Sequence, residues 1–125
     1  MNFEVSKHDK YVLVKSKVEK LDTNYAPELK SIFVYQNKEG DKNIIMDLSA
    51  TRYCDSSGLS ALLVANRLCK SSNGTFVLTG LQESVGKLIT ISQLHTVLTI
   101  VPTLNEAIEF IQMEELERDM DKEEE

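Results

Sequence analysis

The sequence predicts an α/β fold: a mixed, mostly parallel sheet with an antiparallel N-terminal edge, its elements in the order ββαβαβαβα. Three observations lead there. Short β-branched runs alternate with longer stretches of helical period, the pattern of strands joined by right-handed helical crossovers. The run Ile44-Ile45-Met46-Asp47-Leu48 shows little alternation of apolar and polar residues, as in a strand covered on both faces. The 125 residues hold no internal repeat and no Pro/Gly/Ser-rich linker, so they read as one domain, long enough to bury its own core.

The elements follow in order. "FEV" and "YVLVKSKVEKL" read as two strands around the polar turn His8-Asp9-Lys10, and in the second Val12, Val14 and Val18 share a face. "DTNYAPELKSIFVYQNKEG" reads as a helix. Thr23 or Asn24 caps it, Pro27 suits its first turn, Leu29, Ile32 and Phe33 fall on one side, and Gly40 closes it. "NIIMDLSA" is the covered strand. After a short connection, "SSGLSALLVANRLCKSSNG" gives a helix with Ala61, Val64, Ala65, Leu68 and Cys69 at helical spacing; Leu59, Leu62 and Leu63 widen the apolar arc, so it should be largely buried. Asn73-Gly74-Thr75 reads better as an Asn-Gly turn than as a glycosylation site.

"TFVLTGL" is the next strand. "QESVGKLITISQL" reads as a helix with Val85, Leu88 and Ile89 inward, against β-branched residues that weaken helix propensity. "VLTIV" is a last short strand. In the final helix, from Thr103, the residues Leu104, Ala107, Ile108 and Ile111 share a face, and Thr103 with Glu106 has the spacing of a capping box.

Charge is unevenly placed. The net charge is −6, and the segment from Met113 to the end, with eight acids and two bases, carries all of it. The preceding residues hold twelve Lys/Arg and twelve Asp/Glu, a balance that argues against a dedicated nucleic-acid binder. Like charges repel along the tail, so its end should fray. No segment approaches the ~20 apolar residues of a membrane span, so no membrane insertion is expected. The N-terminus lacks the apolar core of a signal peptide, and a cytoplasmic protein is expected. Cys54 and Cys69 are too few and too far apart for a metal cage, and His8 and His95 stand alone, so no metal or other cofactor is expected. Cys54 itself reads as a small packing side chain rather than a redox-sensitive thiol.

The informative stretch is "YCDSSGLSALL", where a strand-rich region gives way to a helix. In open α/β sheets function gathers where strands end and helices begin. Asp55, Ser56 and Ser57 cluster at a helix start, where backbone N–H groups lack partners and the macrodipole is positive. Any one of them could cap the helix, which is the usual work of such residues. A catalytic reading lacks its partners. There is no G-x-S-x-G elbow, no G-x-x-x-x-G-K-[ST] loop, and no histidine placed to act as a base.

"MDLSATRYCDSSGLSALL" resembles the signature of STAS domains, the family that includes bacterial anti-sigma factor antagonists. In that signature a hydrophobic strand leads through a short loop to D-S-[ST]-G-[LIV], which opens a helix. "EKLDTNYAPEL" resembles the family's earlier block and "VGKLITISQLHTVLTIVPTLNEAI" its late block, so the likeness runs over about residues 3 to 112. Two positions depart from the pattern. Tyr25 stands where the family often has Thr or Ser, and Cys54 where Met, Ile or Val is common.

The resemblance implies a sheet of about five strands with helices mainly on one face. It implies a STAS domain over 1–112, leaving 113–125 as the end of the last helix and a frayed acidic tail. It further implies a phosphorylation-switched module. The first serine of D-S-[ST]-G, here Ser56, is the expected phosphoacceptor, with Ser57 the runner-up. The expected partners are an anti-sigma factor that is itself a serine kinase, bound when Ser56 is unmodified, and a serine phosphatase that reverses the modification. Asp22, Asp55, Ser56, Ser57, Gly58 and Leu59 would form the switch loop and partner interface, with Gly58 permitting the turn and Leu59 anchoring the helix. The alternative keeps the fold without the switch: an adaptor subunit of a transport, lipid-trafficking or sensory complex. Nucleotide binding, proposed for some members, finds no phosphate cradle in this sequence.

Overall fold

A computed structural model of the chain describes residues 1–124. The elements are β1 (Phe3–Lys7), β2 (Val12–Ser16), β3 (Lys20–Leu21), α1 (Ala26–Lys38), β4 (Ile44–Asp47), β5 (Tyr53–Cys54), α2 (Ser56–Ser71), β6 (Phe76–Thr79), α3 (Glu83–Ile91), a 3-10 turn (Leu94–Thr96), β7 (Thr99–Val101) and α4 (Leu104–Glu124). The main sheet has the order β1-β2-β4-β6-β7. Its first pair is antiparallel and the rest are parallel. The predicted α/β class and the antiparallel edge are therefore both present.

Side chains alternate across a strand, and this divides the core in two. On one face Val12, Val14, Ile44, Met46 and Leu78 pack with Leu29 and Phe33 of α1, Leu62 and Ala65 of α2, and Val85 and Ile89 of α3. On the other, Ile45 and Val77 meet Ala107 and Ile111 of α4. Three helices thus cover one face and α4 alone covers the other. The lack of alternation in Ile44-Ile45-Met46 has its cause here, since every residue of β4 is buried.

Local structure departs from the sequence-based expectation at two points. "YVLVKSKVEKL" is two strands rather than one. β2 ends at Ser16, whose Oγ lies 2.6 Å from Thr51 Oγ1, while Thr51 Oγ1 donates to the carbonyl of Val18 at 2.8 Å. This buried hydroxyl pair ties the outgoing chain to the loop after β4, and β3 then pairs with β5, parallel and apart from the main sheet. Val18 is buried as expected but lies between strands.

Second, neither Thr23 nor Asn24 caps α1. Asp22 Oδ1 accepts from the Asn24 N–H at 3.0 Å, which closes a turn, and the helix enters at Tyr25 with no side-chain cap. Gly40 does close the helix, at a φ of +95°. Beyond residue 112, α4 continues as a helix held against the body. Glu115 accepts from Asn43 Nδ2 at 2.6 Å, Arg118 holds Glu115 at 3.0 Å, and Arg118 also reaches the Thr75 hydroxyl. The tail segment 113–125 is helix as far as Glu124, and residue 125 lies outside the described residues. The Thr103–Glu106 capping box at the other end of α4 is formed as expected. No helix among the described residues is long and apolar enough to cross a membrane.

Candidate switch loop at the start of α2

The small β3–β5 ladder places the site. Leu21 is the register partner of Cys54, and the Asp55 N–H continues the pairing to the Leu21 carbonyl at 3.3 Å. Asp22 and Asp55 therefore leave the ladder side by side, and with Lys20 and Tyr53 they line a shallow groove of 160 Å³. The sequence separates these two acids by a helix and two strands, and the ladder brings them together.

Asp55 is the residue that caps α2. Its backbone is extended, at φ −111° and ψ −173°, as an N-cap requires. Oδ1 accepts from the backbone N–H of Ser57 at 3.0 Å and of Gly58 at 3.1 Å, and from the Ser57 hydroxyl at 2.6 Å. The Ser57 hydroxyl bond first, then the Gly58 N–H, hold this carboxyl below the usual carboxylate range. It is ionised at neutral pH.

The two serines are thereby distinguished. Ser57 is half-buried and committed to Asp55, so it braces the cap rather than supplying it. Ser56 is exposed, and its hydroxyl has no hydrogen-bond partner among the described residues. It opens the helix, where the backbone donors and macrodipole favour a negative group.

Gly58 has a role other than the one expected. It lies within α2 and has no positive φ, so it permits no special turn. A Cβ at this position would stand 2.5 Å from the Leu21 carbonyl oxygen and 2.6 Å from Cys54 Sγ. Only a hydrogen lets the first turn of α2 press onto the β3–β5 ladder. Leu59, 6% exposed, packs the same turn into the core.

Cys54 is half-buried and its Sγ–H points to the Asp55 carbonyl at 3.4 Å. Burial first, then the neighbouring Asp55 charge, push its thiol up to about 12. A thiol held in that form is a poor nucleophile, in keeping with a packing role. Neither histidine belongs to the loop: His8 stacks on Tyr11 in the β1–β2 hairpin, and His95 sits in the 3-10 turn.

One part of this surface was not read from the sequence. Beside the loop, between β5 and α3, runs an open groove of 610 Å³ lined by residues that include Arg52, Tyr53, Lys87 and Ile91. Gln82, also in the lining, donates to the Ser49 carbonyl at 2.6 Å. The available signal was Ile91, an apolar residue out of phase with the inward Val85 and Ile89, and 79% exposed.

The STAS domain family model matches residues 2–107. An anti-sigma-B factor antagonist of Staphylococcus epidermidis is 27% identical over 100 residues, which is 80% of this chain and 92% of that protein. The crystal structure of an anti-sigma factor antagonist from Mycobacterium paratuberculosis shares the fold with a TM-score of 0.79 at 22% identity, over 88% of this chain and 92% of that one. The Bacillus cell fate determinant SpoIIAA in its phosphorylated form shares it with a TM-score of 0.68 at 20% identity, over 87% of this chain and 98% of that one. With its D-S-S-G helix start set in this fold, and the family pattern running through most of its length, the chain belongs to the STAS domain family.

Proposed function

We propose that this chain is an anti-sigma factor antagonist switched by phosphorylation of Ser56. In this reading the unmodified loop binds a serine-kinase anti-sigma factor, the kinase modifies Ser56 and lets go, and a serine phosphatase resets the loop. One observation carries it: Asp55 caps α2 and engages Ser57, so Ser56 is left exposed and, among the described residues, without a hydrogen bond. A hydroxyl that holds nothing together is free to be modified. The relation to an antagonist of anti-sigma-B factor, and a fold shared with a protein solved in phosphorylated form, support the same reading.

The physics of release follows from the neighbours. A phosphate brings about −1.5 to −2 charges and three strong acceptor oxygens. The helix N-terminus accommodates it, so the domain stays folded. The outer surface already presents Asp55 and Asp22. A third acidic group there costs a partner that has adapted to the unmodified loop, through desolvation and like-charge repulsion. The groove at Arg52, Tyr53 and Ile91 extends the proposed interface beyond the loop itself.

The test is incubation with ATP and the serine-kinase anti-sigma factor of the same host, followed by mass spectrometry. Phosphate on Ser56, and loss of kinase binding by Ser56→Asp, are the expected results. Phosphate confined to Ser57 or elsewhere defeats the assignment. Equal binding by wild type, Ser56→Ala and Ser56→Asp supports the unswitched adaptor instead.

A further inference from the structure

Among the described residues, two apolar helix surfaces of opposite charge serve neither the core nor the proposed switch. The first is the outer side of α4 beyond the body. Glu115 and Arg118 face inward, bonded to Asn43 and Thr75. Met113, Leu116 and Met120, three and four residues apart, lie on the opposite side and are more than half exposed. Glu117 and Asp119 flank this apolar stripe on its two sides. The second is the outer side of α1, where Lys30, Ser31, Val34, Tyr35 and Lys38 line an open groove of 340 Å³. Lys30 and Lys38 make no ion pair among the described residues, and Tyr35 is 60% exposed.

One surface is apolar with acidic margins and the other apolar with basic margins. We propose that they bind each other between copies: the end of α4 of one molecule seats on α1 of the next. A pairing of α4 with α4 would set like charges together, which argues against the symmetric alternative. Docking within one molecule is closed off, because α1 packs on one face of the sheet and α4 on the other. The contact is therefore head-to-tail, and assemblies grow by addition. Two short helix faces bury less than the roughly 1,200 Å² of a stable complex, so association is weak and salt-sensitive. The end of α4 is pinned near Asn43 and Thr75, which precede β4 and β6, whereas Ser56 lies beyond the far ends of the strands. A copy that lends its helix keeps its switch loop uncovered.

Sedimentation velocity on the full chain tests this, comparing about 50 mM with about 500 mM salt. The weight-average mass is expected to rise with protein concentration at low salt and to fall back to the monomer at high salt. Lys30→Glu/Lys38→Glu loses the groove and Leu116→Asp/Met120→Asp loses the stripe, so each alone should be monomeric. Mixed, they should form 1:1 dimers and nothing larger, since one working groove meets one working helix; this complementation also shows that both variants are folded. A wild type that stays monomeric, association that survives in either double variant, or a mixture that does not pair overturns the proposal.

Discussion

The Ser57 hydroxyl donates to the Asp55 carboxylate at 2.6 Å, and this contact separates two adjacent serines that the sequence presents as equals. It also sets the acidity of Asp55, whose lowered pKa has that bond as its largest cause. Ser57→Ala is therefore expected to move the Asp55 titration upward, toward the ordinary carboxylate value, while Ser56→Ala leaves it in place. Carboxyl carbon chemical shifts followed through the acid range measure this directly. An equal response to both substitutions contradicts the assignment of the bond.

A second consequence concerns stability. The Ser56 hydroxyl has no hydrogen bond among the described residues and faces solvent at a helix N-terminus, so an acidic replacement breaks no bond there and gains slightly from the macrodipole. Ser56→Asp should unfold within about 0.5 kcal/mol of wild type. Asp55→Ala, which strips three bonds from the cap, should cost about 1 kcal/mol. Urea titrations of the two variants separate a position that holds nothing in place from a structural one, and a reversed ranking would show that Ser56, not Asp55, secures the helix.

Gly58→Ala offers a sharper contrast. In an exposed helix the change adds up to about 1 kcal/mol of stability, because alanine is the better helix former. Here the new methyl group meets the Leu21 carbonyl oxygen at 2.5 Å, and backbone cannot step aside as a flexible side chain can. The first turn of α2 must lift from β3, at a cost of about 1–3 kcal/mol. The same shift widens the distance between Asp22 and Asp55. A Gly58→Ala variant as stable as wild type would mean that the close approach is not needed.

Periodicity carried most of the fold. The faces of Leu29 and Phe33, Val85 and Ile89, and Ala107 and Ile111 were legible because burial repeats at helical spacing. Local chemistry was less decisive where one residue type does two jobs. Thr23 and Asn24 both suit a cap, yet neither supplies one: Asp22 closes a turn and α1 begins without a side-chain cap. The β3–β5 ladder was not legible, since two residues carry no period and their pairing depends on a buried contact between Ser16 and Thr51. At the site, the residues Asp55 to Leu59 were visible as a motif. The division of labour between the serines was not, because it rests on which oxygen a single carboxylate binds.

The same limit hid Glu115, which looked like one acid among eight in a tail. Its side chain is only 13% exposed and touches three groups: the Asn43 amide, the Lys42 ammonium at 3.5 Å and the Arg118 guanidinium. Burial raises its pKa, but the Asn43 hydrogen bond and the two charges outweigh this and bring it below the ordinary value. A carboxyl depressed by folding contributes stability that is complete above its unfolded pKa and is lost as pH falls through the folded one. Acidification should therefore loosen the end of α4. Hydrogen exchange is expected to show protection after Ile111 falling in acid, while α2 and β4 stay closed. Glu115→Gln should remove that pH dependence, and Glu115→Ala should also cost about 1–3 kcal/mol by leaving Asn43 and Arg118 short of a partner. Uniform loss of protection across the whole chain in acid, unchanged by Glu115→Gln, would show that the helix end is not held by this carboxylate.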